Sequence, residues 1–231
     1  MCPGTAASCG GLLNREQTPR RPNGEAVMKI GIIGAGHIGG TLASLLGAAG
    51  HDVLLSNSRG PETLTDAVAK MKGVRAGTVE EAARFGDVVI EAIPFNRYRD
   101  LPAAALRGRI VVSASNYSPA RDRTVALGQR TPSEAMAEHL TGARVVKAFN
   151  TIYWEHLRDR GDAGKSRDDR RVVPLASDDE DAKAVVAGLI EELGFGALDM
   201  GPLREGGHQM DPGQPLYNRD ISLRDARTLV G

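Results

Sequence analysis

Cysteine is scarce in this sequence, and both cysteines lie near the amino terminus. Cys2 and Cys9 are the only two in a chain of 231 residues. A disulfide-stabilised protein would distribute its bridges through the whole fold, so this distribution excludes that class and indicates a reducing compartment. We therefore expect a cytoplasmic protein. Its 41% content of hydrophobic residues is enough for a sizeable buried core.

The sequence also lacks an excess of charge of either sign. It contains 29 basic and 29 acidic residues. Nucleic acids and anionic membranes select proteins with a basic excess, so neither is expected as the main partner. The balance leaves a small molecule as the expected partner.

Long apolar runs are absent as well. No segment approaches the roughly 18–20 apolar residues that a membrane-spanning helix needs, and the first 27 residues contain no apolar core of a secretory signal. Met28 stands directly before the first predicted strand. We expect residues 1–27 to be either a disordered N-terminal extension or the product of an upstream start codon. Residues 28–203 are expected to form the NADP-binding domain, and residues 204–231, rich in Gly and Pro, a C-terminal tail.

Familiar catalytic signatures are missing too. The sequence has no GxSxG, no HExxH, no Tyr-xxx-Lys and no pair of acids in a plausible site, and its five histidines are isolated. We therefore expect no metal, and no side chain stands out as a catalyst.

Short apolar runs alternate with amphipathic stretches from Met28 onward. The predicted strands are Lys29–Ile33, Asp52–Leu55, Val74–Ala76, Asp87–Ile93, Arg109–Ala114, Arg144–Phe149, Val172–Ala176 and Ala197–Met200. Continuous runs such as VVIEAI predict strands covered on both faces, as in a parallel sheet. Capping boxes at Thr78–Glu81, Thr131–Glu134 and Ser177–Glu180 predict helix starts. The alternation predicts an α/β fold, doubly wound and mainly parallel, with a short C-terminal extension.

The first strand is followed by GAGHIG, which contains Gly34, Gly36 and Gly39. A glycine-rich turn between a strand and a helix is typical of a Rossmann-type dinucleotide site. Gly34 permits the tight turn, Gly36 admits the pyrophosphate and Gly39 allows close packing of helix on strand. The amides of His37 and Ile38 then face the phosphates.

The second strand indicates which dinucleotide binds. Enzymes that use NAD usually carry Asp or Glu at the end of this strand, whereas here the strand ends in SNSR and no carboxylate appears before Glu62. Asn57, Ser58 and Arg59 offer an amide, a hydroxyl and a guanidinium, which suit a 2′-phosphate. The sequence therefore predicts NADP(H) as cofactor.

The ends of the fourth, fifth and sixth strands supply the remaining candidates, since ligands in such sheets lie beyond the carboxyl ends of the strands. Each of these segments is also compatible with ordinary turn chemistry. The candidates are Ile93 and Pro94, Ser115 and Asn116 for the cofactor, and Asn150, Thr151 and Tyr153 for the hydride acceptor.

The segments GIIGAGHIGGTLASLL, LLSNSRGPETL, AFNTI and PLASDDEDAKAVVAGLIEELGFGALDMGPL together resemble the F420-dependent NADP oxidoreductase family, and more closely its bacterial dinucleotide-binding branch. The resemblance covers about Met28 to Leu203. It implies a homodimer that passes hydride between NADP(H) and the deazaflavin coenzyme F420. It also implies a phosphate loop at Gly34–Gly39, a 2′-phosphate clamp at Ser58 and Arg59, and Ile93 and Pro94 beside the nicotinamide.

Two features depart from the archaeal members of that family. Asn150 stands where they carry a histidine beside the deazaflavin, and a short tail replaces their helical C-terminus. Three functions therefore stay open: hydride transfer between NADP(H) and F420 or a similar acceptor, reduction of a small carbonyl, imine or quinone, and non-catalytic NADP(H) binding. Carbonyl reduction would need a proton donor, for which the candidates are Tyr98, Tyr117, Tyr153 and His156.

Overall fold

The computed structural model describes residues 26–231. Cys2, Cys9 and all but the last two residues of the expected N-terminal extension lie outside this range. Within it, no helix combines the length and the apolar character that crossing a membrane requires.

One sheet forms the centre of the fold. Its strands are β1 (Lys29–Ile33), β2 (Asp52–Ser56), β3 (Val74–Gly77), β4 (Val88–Glu91), β5 (Ile110–Ser113), β6 (Arg144–Ala148), β7 (Val172–Ala176) and β8 (Gly196–Asp199). They lie in the order β3-β2-β1-β4-β5-β6-β7-β8, and all neighbours are parallel except β6 and β7. The predicted strands and the mainly parallel sheet are confirmed. The order reverses between β1 and β4, the switch point beyond which such sheets hold their ligands.

Helices cover both faces of the sheet. Those of the described residues are α1 (His37–Ala48), α2 (Thr65–Val68), α3 (Val79–Phe85), α4 (Ala103–Leu106), α5 (Pro132–His139), α6 (Trp154–Asp159), α7 (Glu180–Glu192), α8 (Glu205–Gln209) and α9 (Leu223–Val230). Ile32 of β1 packs in one buried cluster with Leu42 of α1 and Val186 of α7, and Ile33 packs in another with Ala83 of α3. Successive side chains of a strand point to opposite faces, which explains why β1 is apolar without interruption.

Two of the three predicted capping boxes are confirmed. Thr78 and Thr131 each accept a hydrogen bond from the backbone amide three residues later, and the glutamate there bonds the threonine amide in return. Each box satisfies amides that have no partner within the helix, and so fixes where α3 and α5 begin.

The predicted capping box at Ser177–Glu180 is wrong. Asp179 caps α7 instead, accepting from the amide of Ala182 at 2.9 Å, while Ser177 Oγ donates to the carbonyl of Val145 at 2.7 Å. Arg144 holds the Asp179 carboxylate through two bonds of 2.6 and 2.8 Å. The residue that caps α7 is therefore also held by a charged partner on β6.

The C-terminal segment, residues 204–231, which is predicted as a short tail in place of a helical C-terminus, contains the helices α8 and α9. The segment is anchored to the domain. Lys147 of β6 donates to the carbonyl of Gly207 at 2.9 Å and forms an ion pair with Asp211. Leu223 of α9 packs in a third buried cluster with Val172 of β7.

Candidate functional site

The turn after β1 is shaped by its glycines. Gly34 has φ 113°, and a Cβ there would lie 2.4 Å from the carbonyl oxygen of Ala92. A Cβ on Gly39 would lie 1.8 Å from the carbonyl oxygen of Gly34, so α1 packs directly on the turn. A Cβ on Gly36 would meet nothing within 4 Å. The backbone at Gly36 is therefore open to an approaching ligand at the amino-terminal, positive end of α1.

A cavity of about 440 Å³ opens at this turn. It lies beyond the carboxyl ends of β1, β2 and β4, next to the switch point of the sheet. Its volume is within the range of roughly 300–1,000 Å³ typical of small-molecule sites. Seven of the predicted cofactor residues line it: Gly34, Gly36, Asn57, Ser58, Arg59, Ile93 and Pro94.

The remaining predicted cofactor residues are not among the lining residues of this cavity. Ile38 is half-buried and Gly39 fully buried behind the turn. His37 faces a neighbouring groove, where its ring stacks on Trp154 with centroids 4.8 Å apart. Ser115 and Asn116 are half-buried at the end of β5.

The loop after β2 presents its cationic group to the cavity. The Oδ1 atom of Asn57 accepts from the amide of Arg59 at 2.9 Å, and its Nδ2 atom donates to Thr63 Oγ1 at 2.9 Å. Asn57 thus folds the loop. Arg59 is exposed, and within residues 26–231 its guanidinium has no hydrogen bond or ion pair. The arrangement leaves one guanidinium and the Ser58 hydroxyl free for an anion.

Sequence reasoning missed Arg97 and Asp100, which line the same cavity. They lie on a 3-10 turn, Phe95–Asp100, that follows the end of β4, and they form an ion pair with each other. Two basic residues in FNRYRD, shortly after a predicted strand end, were the available signal. Because Arg97 is already paired, Arg59 is the stronger candidate for a phosphate ligand.

Glu91, the last residue of β4, was also missed. Its carboxylate is fully buried and bonds residues at the ends of β4 and β5, next to Ile93. Burial raises the pKa of Glu91 to about 7, although hydrogen bonds from Ser113 and Ser115 oppose the rise. A single acid inside the otherwise apolar run VVIEAI was the signal in the sequence.

The three predicted acceptor residues have different environments. Asn150 and Thr151 are 4% and 3% exposed. Asn150 Nδ2 donates to Asn116 Oδ1 at 2.9 Å and to the carbonyl of Met210 at 2.8 Å, and the carbonyl of Thr151 accepts from the amide of Asn218 at 3.0 Å. The C-terminal segment therefore covers the end of β6. Tyr153 is 54% exposed and is accessible to a ligand.

The described part of the chain contains no cluster of three His, Cys, Asp or Glu residues arranged to hold a metal ion. Two of the predicted proton donors are also poorly placed to meet a substrate. Tyr98 is 3% exposed, and Tyr117 packs edge-on against Phe95 with centroids 5.7 Å apart.

Comparison with known proteins identifies proteins to which the chain is similar. A family model described as NADP oxidoreductase, coenzyme F420-dependent, matches residues 29–117. A hypothetical protein from Sinorhizobium meliloti is 36% identical, with 85% of this chain and 96% of that chain covered at a TM-score of 0.74. A protein from Arthrobacter sp. FB24, provisionally assigned as an F420-dependent NADP reductase, is 25% identical, with 76% and 86% covered at a TM-score of 0.64. No curated protein sequence matches the chain.

More distant solved structures share the fold alone. The imine reductase from Pseudomonas sp. is 17% identical, and the match covers 88% of this chain and 61% of that chain at a TM-score of 0.56.

Proposed function

Because the chain belongs to the family of coenzyme F420-dependent NADP oxidoreductases and is thus an NADP-dependent oxidoreductase, we propose that it transfers a hydride between NADP(H) and a deazaflavin of the F420 type. The observation that carries this proposal is the cavity at the switch point of the sheet. The phosphate loop, the cationic loop after β2 and the Ile93-Pro94 element all line it.

The residues present fit an NADP molecule. Gly36 leaves its backbone open at the start of α1, where amides would hold the pyrophosphate. Arg59 has no competing partner within residues 26–231, and so would bind the 2′-phosphate with Ser58. No carboxylate stands at the end of β2 to repel that phosphate, because the strand ends in Ser56, whose hydroxyl donates to the carbonyl of Ile32 at 2.9 Å.

The cofactor, when bound, supplies the hydride, so the protein has to hold two rings in reacting distance and keep water out. Ile93 and Pro94 would support one face of the nicotinamide. The opposite face would receive the acceptor, on the side of β6 where Tyr153 is exposed. Because the cofactor supplies the chemistry and the protein only positions the two rings, the sequence needs no conventional catalytic motif.

One observation favours a second candidate, reduction of a small carbonyl or imine. Tyr153 is accessible and lies edge-on to His156, with ring centroids 6.0 Å apart. His156 in turn meets Arg171 through its Nδ1 atom at 2.6 Å. A tyrosine beside a histidine provides the proton donor that carbonyl reduction requires and hydride transfer to a deazaflavin does not.

An acceptor screen tests the proposal. NADPH oxidation is followed by absorbance with oxidised F420, then a flavin, then a panel of ketones and imines. Turnover restricted to F420 supports the proposal. Turnover with ketones or imines that is lost in Tyr153→Phe supports the second candidate. Tight NADPH binding without turnover of any acceptor would indicate a non-catalytic binding protein and overturn both.

The family also suggests a homodimer in the cytoplasm with small-molecule partners and with neither nucleic acid nor membrane as a ligand, and we propose the same here. Light scattering coupled to gel filtration measures the mass of the particle. A monomer at assay concentrations would contradict the dimer.

A further inference from the structure

Glu91 ends β4 in an unusual place for an acid. It pairs in register with Ile33 of β1 and Ser113 of β5, and its side chain has no exposure to solvent. Ile93, two residues later, lines the cavity at the switch point. The carboxylate is therefore buried directly behind the wall that the proposed function assigns to the nicotinamide.

The bonds of Glu91 join two strand ends. Its Oε1 atom accepts from Ser113 Oγ at 2.6 Å, from Ser115 Oγ at 2.7 Å and from the amide of Ser115 at 3.3 Å. Its Oε2 atom accepts from the amide of Ile93 at 3.4 Å. Three donors on one oxygen is an arrangement that suits an ionised carboxylate, which only accepts hydrogen bonds.

No charged group balances this carboxylate among residues 26–231. The groups that bond it come from β4, from β5 and from the residues just beyond both strands, and they are hydroxyls and amides. Its other strand neighbour, Ile33 of β1, is apolar. A buried acid without a cation is costly, and a role at the site would account for its presence. The serine hydroxyls that it binds are the groups through which it reaches the site.

Resting on the proposed function, we propose that Glu91 is a positioning residue that fixes Ser115 Oγ as a hydrogen-bond acceptor for the nicotinamide half of NADP(H). An ionised Glu91 has no proton, so the hydroxyls of Ser113 and Ser115 both have to donate to it. Ser115 is half-buried at the edge of the sheet, and a hydroxyl that donates to Glu91 has only lone pairs left to offer a ligand. The carboxamide NH₂ and the ribose hydroxyls of the nicotinamide half are donors of the required kind.

A proton on Glu91 turns the carboxyl group into a donor. The bond to Ser113 or to Ser115 can then reverse, and where the Ser115 bond reverses, Ser115 is no longer held as an acceptor. The nicotinamide half should therefore bind more weakly as the pH falls through about 7, the pKa to which burial raises Glu91.

Binding of two ligands to the full chain tests this inference. NADPH and 2′-AMP share the adenosine and the titrating 2′-phosphate, and neither has a second group that titrates in this range, but only NADPH has the nicotinamide half. Calorimetry should show the ratio of the NADPH to the 2′-AMP dissociation constant rising roughly three- to tenfold between about pH 8 and about pH 6. A ratio independent of pH in the wild-type protein overturns the inference without any variant.

Three variants separate positioning from a structural role. Glu91→Gln keeps an acceptor for both hydroxyls and does not titrate, so the ratio should stay at its high-pH value throughout. Ser115→Ala should raise the ratio at every pH and abolish its pH dependence. Ser113→Ala removes a bond that lowers the pKa of Glu91, so it should move the transition to higher pH and keep its size.

If the ratio of the two dissociation constants still changed with pH in Glu91→Gln or in Ser115→Ala, the assignment would be contradicted. The readout is binding alone, so it is separate from the identity of the acceptor. Failure of F420 turnover would defeat the proposed function and leave this result standing.

Discussion

The two ends of the candidate site are held together over very different distances along the chain. At the end that includes the loop after β2, the bonds of Asn57 join residues two and six positions apart. At the end of β6, the bonds from Asn150 to Met210 and from Lys147 to Asp211 span 60 and 64 positions. The first end is a local motif, and the second is assembled only when the whole chain has folded.

Because of this difference, we expect one end of the site to determine cofactor affinity and the other to determine the stability of the fold. Arg59, exposed and without a partner within the described residues, is available to a ligand and contributes little to the fold. Lys147, whose side chain is 3% exposed, is committed to the fold through its pair with Asp211. We expect substitutions at the first end to change cofactor binding and substitutions at the second to change unfolding.

The largest effect is expected from Asp211→Ala. The substitution leaves Lys147 charged and buried, and burial already lowers the pKa of Lys147 while Asp211 opposes that shift. Breaking a buried ion pair from one side costs about 3–5 kcal/mol. Urea denaturation should show this loss, whereas the folded fraction should bind 2′,5′-ADP as the wild-type protein does.

Asp168→Ala is the matched control. Asp168 pairs with Arg227 of α9, but the two side chains are 47% and 46% exposed, and exposed pairs contribute about 0–1 kcal/mol. Equal losses of unfolding free energy in Asp211→Ala and Asp168→Ala would show that the buried pair stabilises the fold no more than the exposed one.

Glu91 should make stability depend on pH. Its folded pKa of about 7 lies above the ordinary value of 4.5, so the folded state holds the proton more tightly than the unfolded chain. Stability should therefore be lost as the pH rises from about 4.5 to about 7, by up to about 3 kcal/mol.

The measurement is urea denaturation of the wild-type protein and Glu91→Gln at about pH 5 and about pH 8. The free energy of unfolding of the glutamine variant, relative to that of the wild-type protein, should be higher at about pH 8 than at about pH 5. If the difference in free energy of unfolding were the same at both pH values, the Glu91 carboxyl group would have the same pKa in the folded and the unfolded protein.

Arg59→Ala should cost about 1.5–3 kcal/mol of NADPH binding, or roughly tenfold to over a hundredfold in affinity, because one charge-assisted phosphate contact is lost. NADH, which lacks the 2′-phosphate, should lose far less. Arg84→Ala is the control, since Arg84 is exposed, pairs with Glu80 and does not line the cavity. Parallel losses for NADPH and NADH would remove the basis for NADP preference.

The same contrast explains what could be predicted from the sequence. The strands, two capping boxes and seven of the residues lining the cavity follow from short-range patterns, because periodicity and turn chemistry are read within a few residues. The cap of α7 could not be predicted in this way, since the Asp179 carboxylate is held by Arg144, 35 positions earlier. The covering of Asn150 by Met210 depends on the path of a segment whose Gly- and Pro-rich sequence carries no strong periodicity.

The smallest effect is expected at Asn57, and it tests whether the local end of the site is organised before the ligand arrives. Asn57→Ala removes the bond to the amide of Arg59 and the bond to Thr63. Both residues it contacts are in an exposed loop, so net losses near 1 kcal/mol are expected, or about threefold to tenfold in 2′,5′-ADP affinity. Calorimetry should show the loss, with a free energy of unfolding within about 0.5 kcal/mol of wild type.

Asn57→Asp distinguishes preorganisation from direct contact. Aspartate keeps an oxygen that accepts from the Arg59 amide, so the loop retains its shape, but it adds a negative charge beside the expected 2′-phosphate. If Asn57 only shapes the loop at a distance from the phosphate, Asn57→Asp should bind 2′,5′-ADP better than Asn57→Ala. If the phosphate lies against Asn57, charge repulsion should make Asn57→Asp the weaker of the two, while NADH binding stays the same in both. A large fall in the free energy of unfolding with either variant would instead show that this loop also stabilises the fold. The two ends of the site would then not differ in the way proposed.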